Sequence, residues 1–169
     1  MSNVQAVVRA QATEDKLQEF VCACENDVQR NTGEDCKSLG DRKHKCVDDK
    51  IKNHNSNAKV DEMIGSEVGF NDDLDILPFD RKQTYASVRS GTKWPDSCSF
   101  DANGDPYKFF DFKFKCPTAE YSGRPNWSPG QKEKYEKLTK KLGHDPNKDK
   151  NCMPKIIDNT DCPAYGGKQ

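Results

Sequence analysis

Apolar residues are scarce in this chain: they make up 33% of 169 residues, against roughly 45–50% in ordinary soluble domains, and the mean hydropathy is −1.04. The core is therefore small and in need of reinforcement, or some segments stay solvated. About 18 consecutive apolar residues, the length of a membrane-spanning helix, occur nowhere, so no membrane partner is expected. Met1 to Ala12 holds no apolar stretch of the length a cleavable secretory signal requires. Internal repeats and low-complexity tracts are also absent. No charge of one sign dominates, since 27 Lys and Arg stand against 28 Asp and Glu for a net charge of −1. A length of 169 residues fits one domain, residues 1–169.

Cysteine, by contrast, is abundant. Cys22, Cys24, Cys36, Cys46, Cys98, Cys116, Cys152 and Cys162 form an even, dense set of the kind that staples exported proteins. Cys22 and Cys24 are two apart, about 200° around a helix axis, so one ion cannot take both from a regular helix, which argues against a zinc cluster. Disulfides from the first helix to the Cys36 and Cys46 region are the preferred reading. No His stands in an evident partnership with a Cys, so a thiol nucleophile finds no support. His44, His54 and His144 read as surface residues, and the surroundings of His54 lack the hairpin of a ββα-metal site.

Leu17, Phe20, Val21, Cys24 and Val28 recur at helical spacing and predict a helix from Thr13 to Arg30. A second is expected from Asp41 to Asn55, then a polar loop over KNHNSNAK, then a short helix over Val60 to Val68 carrying Glu62 and Glu67. An acidic loop follows, whose Leu74, Ile76, Leu77 and Phe79 can dock on a core. Thr84 to Arg89 alternates weakly as a first strand; Ser97 to Asp101 and Tyr107 to Lys115 form a hairpin with Phe110, Phe112 and Phe114 on its buried face. Ser128 as cap and Pro129 at the first helical position open a helix that Gly143 ends. Met153 to Ile157 predicts a last strand, and the tail from Asn159 a loop. The fold class is mixed α/β, with a Cys-containing helical segment over 1–58, a core over 59–157 and a tail over 158–169.

The hairpin carries the chemistry. A two-residue turn at Asn103-Gly104 pairs Ala102 with Asp105 and, carried back along both strands, Asp96 with Asp111. Directly opposed residues have Cβ atoms about 4.5–5.5 Å apart, so both carboxylates can hold one divalent cation, with Lys113 on the same face. Mg²⁺, a hard ion that accepts few carboxylates and several waters, suits Asp96 and Asp111, and the carbonyl of Phe112 is a candidate third oxygen. Lys113 then orients a water, takes its proton, or neutralises charge in a phosphoryl transition state. Residues 107–155 hold 12 Lys or Arg against 6 Asp or Glu, whereas residues 1–106 hold 14 against 20. A basic region beside such a site suits a polyanion.

Pro95-Asp96 followed by Asp111-Phe112-Lys113 resembles the signature of the PD-(D/E)xK, or restriction endonuclease-like, nuclease superfamily. The resemblance spans Val60 to Ile157 and extends to Gln131 and Tyr135, which match a Q-x-x-x-Y motif on the helix after the catalytic strand. It implies an α-β-β-β-α-β core with additional N-terminal helices, Mg²⁺ (with Mn²⁺ as a substitute) on the two aspartates, Lys113 at the nucleophilic water, and a helical Glu near the metal, for which Glu62 is preferred over Glu67. Within the superfamily the chain looks most like the toxin domains of bacterial polymorphic toxins and type VI secretion effectors. That implies a DNase, secretion by a non-classical route from a larger polypeptide or through a secretion apparatus, action in a target cell's cytoplasm, and a cognate immunity protein. An RNase on the same site and a non-catalytic, disulfide-stapled adaptor module are the rival expectations.

Overall fold

The protein is described from a computed structural model over residues 3–76 and 95–166. Helix α1 runs Asn3–Asp27, and α2 runs Cys36–Asn57. A four-stranded sheet then forms from β1 (Gly65–Ser66), β2 (Ser97–Phe100), β3 (Pro106–Lys113) and β4 (Lys155–Asp158), in that spatial order, with α3 (Gln131–Lys141) between β3 and β4. The first three strands pair antiparallel and β4 pairs parallel to β3. The predicted mixed α/β class is what the chain adopts.

Alternation along β3 divides its side chains between two covered faces. Phe110 and Phe112 pack with Leu17 and Val21 of α1, Val47 and Ile51 of α2, and Ile157 of β4. Phe109 faces the other way, onto Tyr135 and Leu138 of α3 and Cys98 and Phe100 of β2. Each fully buried phenylalanine contributes roughly 1.5–3 kcal/mol, so the few apolar residues are concentrated against this one strand.

Three disulfides reinforce the small core. Cys22–Cys162 ties α1 to the tail, Cys24–Cys46 ties α1 to α2, and Cys36–Cys116 ties the start of α2 to the segment after β3. Neighbouring Cys22 and Cys24 point to different partners, as their angular separation on a helix demands. Cys46 is bonded from the first helix as expected, but Cys36 is not; its partner is Cys116. Cys98 and Cys152 are buried and lie outside these three bridges.

Several boundaries differ from the sequence expectation for identifiable reasons. Helix α1 begins well before Thr13 because Ala6 and Ala10 continue its buried stripe and pack against Tyr107 and Cys152. Helix α2 begins at Cys36, capped by the Asp35 carboxylate on the N–H of Ser38 at 2.7 Å. It extends through most of the tract read as a polar loop, where buried Asn55 clamps the following chain by donating to Ile64 O (2.8 Å) and accepting from Ile64 N (2.9 Å). The expected helix over Val60–Val68 is instead a 3₁₀ turn, Val60–Glu62, leading into β1. A side chain at Gly65 would collide with Cys98 Sγ and the Phe100 ring, so only glycine lets β1 lie this close to β2. Helix α3 starts at Gln131 behind Gly130, whose φ of 76° makes Pro129-Gly130 a turn rather than a first helical turn. Gly143 ends it at φ 92° as expected. Leu74 and Ile76 dock on the core around Phe70; Leu77, Phe79 and the strand expected over Thr84 to Arg89 lie outside the described residues.

Candidate active site

The hairpin register is the one read from the sequence, reached by a different turn. Ser97 faces Phe110, Cys98 faces Phe109 and Ser99 faces Lys108. The connection is not a two-residue Asn103-Gly104 turn. Asp101 N donates to Asp105 O at 2.8 Å, leaving a three-residue loop that Gly104 closes at φ 81°. The Asp101 carboxylate holds the loop by accepting from the N–H groups of Asn103 and Asp105. The resulting shift is cancelled at Tyr107, an extra residue between the Phe100–Pro106 and Ser99–Lys108 pairs. Asp96 therefore arrives beside Asp111.

Asp111 is 4% exposed and does not lie on a solvated face of the hairpin. Its Oδ1 accepts from Gln131 Nε2 at 2.9 Å and from the Tyr135 hydroxyl at 3.2 Å. Its Oδ2 is buried and accepts no hydrogen bond; Lys113 Nζ stands 2.9 Å away but off the direction a hydrogen bond requires. Lys113 is oriented by Gln131 Oε1 at 3.1 Å and Ser128 Oγ at 3.4 Å. Gln131, the first residue of α3, thus joins Asp111 to Lys113, and its Oε1 also accepts the N–H of Ser128. Burial and the charges of Asp111 and Asp96 push the Tyr135 phenol above its ordinary range, so it remains a donor to Asp111.

Asp96 precedes β2, and its Oδ2 accepts the N–H of Phe112 at 2.7 Å. Its side chain keeps 24% of its surface open, enough for a ligand to reach it. Burial, then the negative charge of Asp111, raise its pKa well above the ordinary aspartate range, against the opposing pull of the Phe112 amide. Phe112 turns its N–H toward Asp96, and in a strand the carbonyl of the same residue points to that side too.

Asp96, Asp111, Lys113, Gln131, Tyr135 and the backbone of Phe112 are therefore brought together. Glu62 is not. It is exposed on the 3₁₀ turn, where its carboxylate accepts the N–H of Lys59 at 3.1 Å, so the expected helical acid is misplaced at this position. Glu67 lies nearer, donating its N–H to Asp96 O at 3.2 Å. Two residues that sequence reasoning passed over come from α2. Asp48, buried and accepting from Ser66 Oγ at 2.8 Å, adds to the upward shift of Asp96. His44 sits with Nδ1 3.9 Å from Asp96 Oδ1 and edge-on to Phe114 with ring centroids 5.4 Å apart, not on open surface. Burial lowers its pKa first, with Asp111 and Asp41 opposing. Their four-residue spacing puts both on one side of a helix, the only signal available.

No group of three or more His, Cys, Asp and Glu among the described residues is arranged to hold a metal ion. The pair nevertheless fits a hard divalent cation that keeps most of its waters. Asp111 Oδ2 meets the Lys113 ammonium at 2.9 Å, and Asp96 is held toward its neutral form largely by burial and the second carboxylate, a strain that a cation between them relieves. Comparison with protein-family models, with curated proteins and with solved structures finds no match to this chain.

Proposed function

We propose that the protein is a metal-dependent nuclease of the PD-(D/E)xK type that hydrolyses phosphodiester bonds in DNA. The observation that carries this reading is the placement of Asp111 and Lys113 within a buried network, 2.9 Å apart, with a second carboxylate, Asp96, crowded beside them. Burying charges without full compensation costs several kcal/mol, and a merely structural role does not account for two carboxylates crowded together beside one lysine. Among the described residues the order α2-β1-β2-β3-α3-β4 also supports the reading, since it matches the α-β-β-β-α-β order that the motif implies, with α2 in the place of the helix expected at Glu62.

In this reading Asp96 and Asp111 hold Mg²⁺, or Mn²⁺ in its place, which supplies Lewis acidity toward a phosphoryl oxygen. The other steps belong to the chain. Lys113 Nζ, fixed by Gln131 and Ser128, positions the attacking water and offsets the negative charge that accumulates on phosphorus. Gln131 and Tyr135 anchor Asp111 Oδ1, fixing the carboxylate so that Oδ2 faces the reaction. Phe112 fixes Asp96 through its amide and presents its carbonyl on the same side. Three disulfides suit a protein that passes through an oxidising environment, in keeping with a secreted antibacterial effector of the type VI kind. Such an effector acts in the cytoplasm of a target cell and is restrained in the producer by an immunity protein.

Incubation of the purified protein with supercoiled plasmid and Mg²⁺ tests the activity. Nicking or linearisation that EDTA abolishes, and that Asp96→Ala and Lys113→Met each reduce at least a hundredfold, is expected. Cleavage that survives both substitutions removes the assignment, and a parallel digest of RNA decides which nucleic acid is preferred.

A further inference from the structure

A cleft of about 400 Å³ opens next to Lys113 and shares that residue with the site. Its walls alternate cations and aromatic rings: Lys113, Lys115 and Arg124 with Phe114, Tyr121 and Trp127. Among the described residues that line it, none is acidic. Tyr121 is 53% exposed and is the only exposed aromatic side chain among the described residues. Its ring lies 4.7 Å from Lys115 Nζ. Arg124 is ion-paired with Asp158 and Asp161. Trp127 meets the Tyr135 ring edge-on at 5.6 Å, so the far wall rests on the tyrosine that donates to Asp111.

Duplex DNA offers a protein its phosphates and groove edges, while the faces of its bases are hidden in the stack. Recognition of the backbone alone needs cations and no aromatic rings. An exposed ring among lysines is what an unstacked base requires, because the ring supplies a stacking platform and the cations track the adjoining phosphates. The cleft volume lies at the small end of the roughly 300–1,000 Å³ typical of small-ligand pockets, which suits one nucleotide.

We infer that this cleft receives an unstacked nucleotide adjoining the scissile phosphate, so that the substrate is single-stranded or frayed nucleic acid in preference to intact duplex. The inference rests on the nuclease reading for the scissile phosphate; the cleft itself can be tested apart from cleavage. Fluorescence anisotropy in EDTA, at fixed ionic strength, compares a labelled 15-nucleotide single strand with the same sequence as a blunt duplex. The single strand is expected to bind at least tenfold more tightly. Tyr121→Ala is expected to weaken single-strand binding about tenfold, Tyr121→Phe to retain it within about twofold, and neither to change duplex binding. Equal affinity for the two forms, no saturable binding of the single strand, or an unaltered Tyr121→Ala protein overturns the inference. If plasmid cleavage persists alongside any of those results, the nuclease reading stands and the cleft assignment alone fails. Tyr121-dependent strand binding in a protein that cleaves nothing removes the nuclease reading and supports the cleft.

Discussion

Two clusters of buried charge flank the C-terminal half of β3, and they are built differently. In the first, Lys43 and Glu25 meet at 2.8 Å with side chains 4% and 3% exposed. The same Glu25 oxygen accepts from Asn159 Nδ2 at 2.8 Å, and Asn159 Oδ1 accepts the N–H of Lys115 at 2.8 Å. One cation matches one carboxylate, and the amide ties α1, α2, the end of β3 and the residue after β4 into a closed set. In the second, Asp96 and Asp111 crowd one another, Asp96 is driven toward its neutral form, and Asp111 Oδ2 accepts no hydrogen bond. In the first cluster cation and carboxylate match one to one, whereas in the second two carboxylates crowd beside one lysine, an excess of negative charge that the proposed metal would offset.

The largest effect expected from this contrast falls on the first cluster. Lys43→Met leaves Glu25 buried without its cation and is expected to lower the unfolding free energy by about 3–5 kcal/mol, read from urea denaturation with the disulfides intact. Next comes the second cluster. Asp111→Asn is expected to cut plasmid cleavage by about 10²–10³-fold, the usual consequence of losing one preorganised charge at a reacting centre. It also relieves the crowding, so its unfolding free energy should equal or exceed that of the unsubstituted protein. If Asp111→Asn proves as damaging in urea as Lys43→Met, both clusters are structural and the contrast collapses.

The sequence makes the second cluster largely legible and the first almost wholly opaque. Period-two alternation puts Asp111 and Lys113 opposite the Phe110 and Phe112 face, and a register needs only one fixed turn to bring Asp96 in. The connection is a three-residue loop where a two-residue turn is expected, and the extra residue at Tyr107 restores the register. Four residues of separation likewise put Gln131 and Tyr135 on one side of a helix. What alternation does not encode is which helix covers which face. Burial of Asp111 under α3 appears only when Tyr135 and Leu138 are seen against Phe109. Glu25, Lys43 and Asn159 meet across 134 positions of chain, and nothing local distinguishes them from surface residues. His44 and Asp48 are hidden in the same way on a helix crowded with charge, and the short helix expected to carry Glu62 gives way to a 3₁₀ turn because the chain enters β1 at Gly65.

The smallest effect sharpens the contrast through pH. Because the folded pKa of Asp96 lies above its unfolded value, the native state binds more protons than the unfolded state between the ordinary aspartate range, near 3.9, and the raised value. Stability must then fall as pH rises through that window, by at most about 1.4 kcal/mol per pH unit for a single proton. Other carboxylates contribute slopes of their own, so the informative quantity is the difference between the unsubstituted protein and Asp96→Asn, both in EDTA. That difference should decline as pH rises through the raised pKa of Asp96 and level off above it. Adding Mg²⁺ should raise the stability of the unsubstituted protein at a pH above the raised pKa of Asp96. At pH 4, where Asp96 retains its proton, it should do much less. Asp96→Asn, which keeps one carboxylate, should lose most of the response. A Mg²⁺ effect that is the same at both pH values, or that survives the substitution, would place the cation elsewhere on the protein and leave the second cluster with no more claim to chemistry than the first.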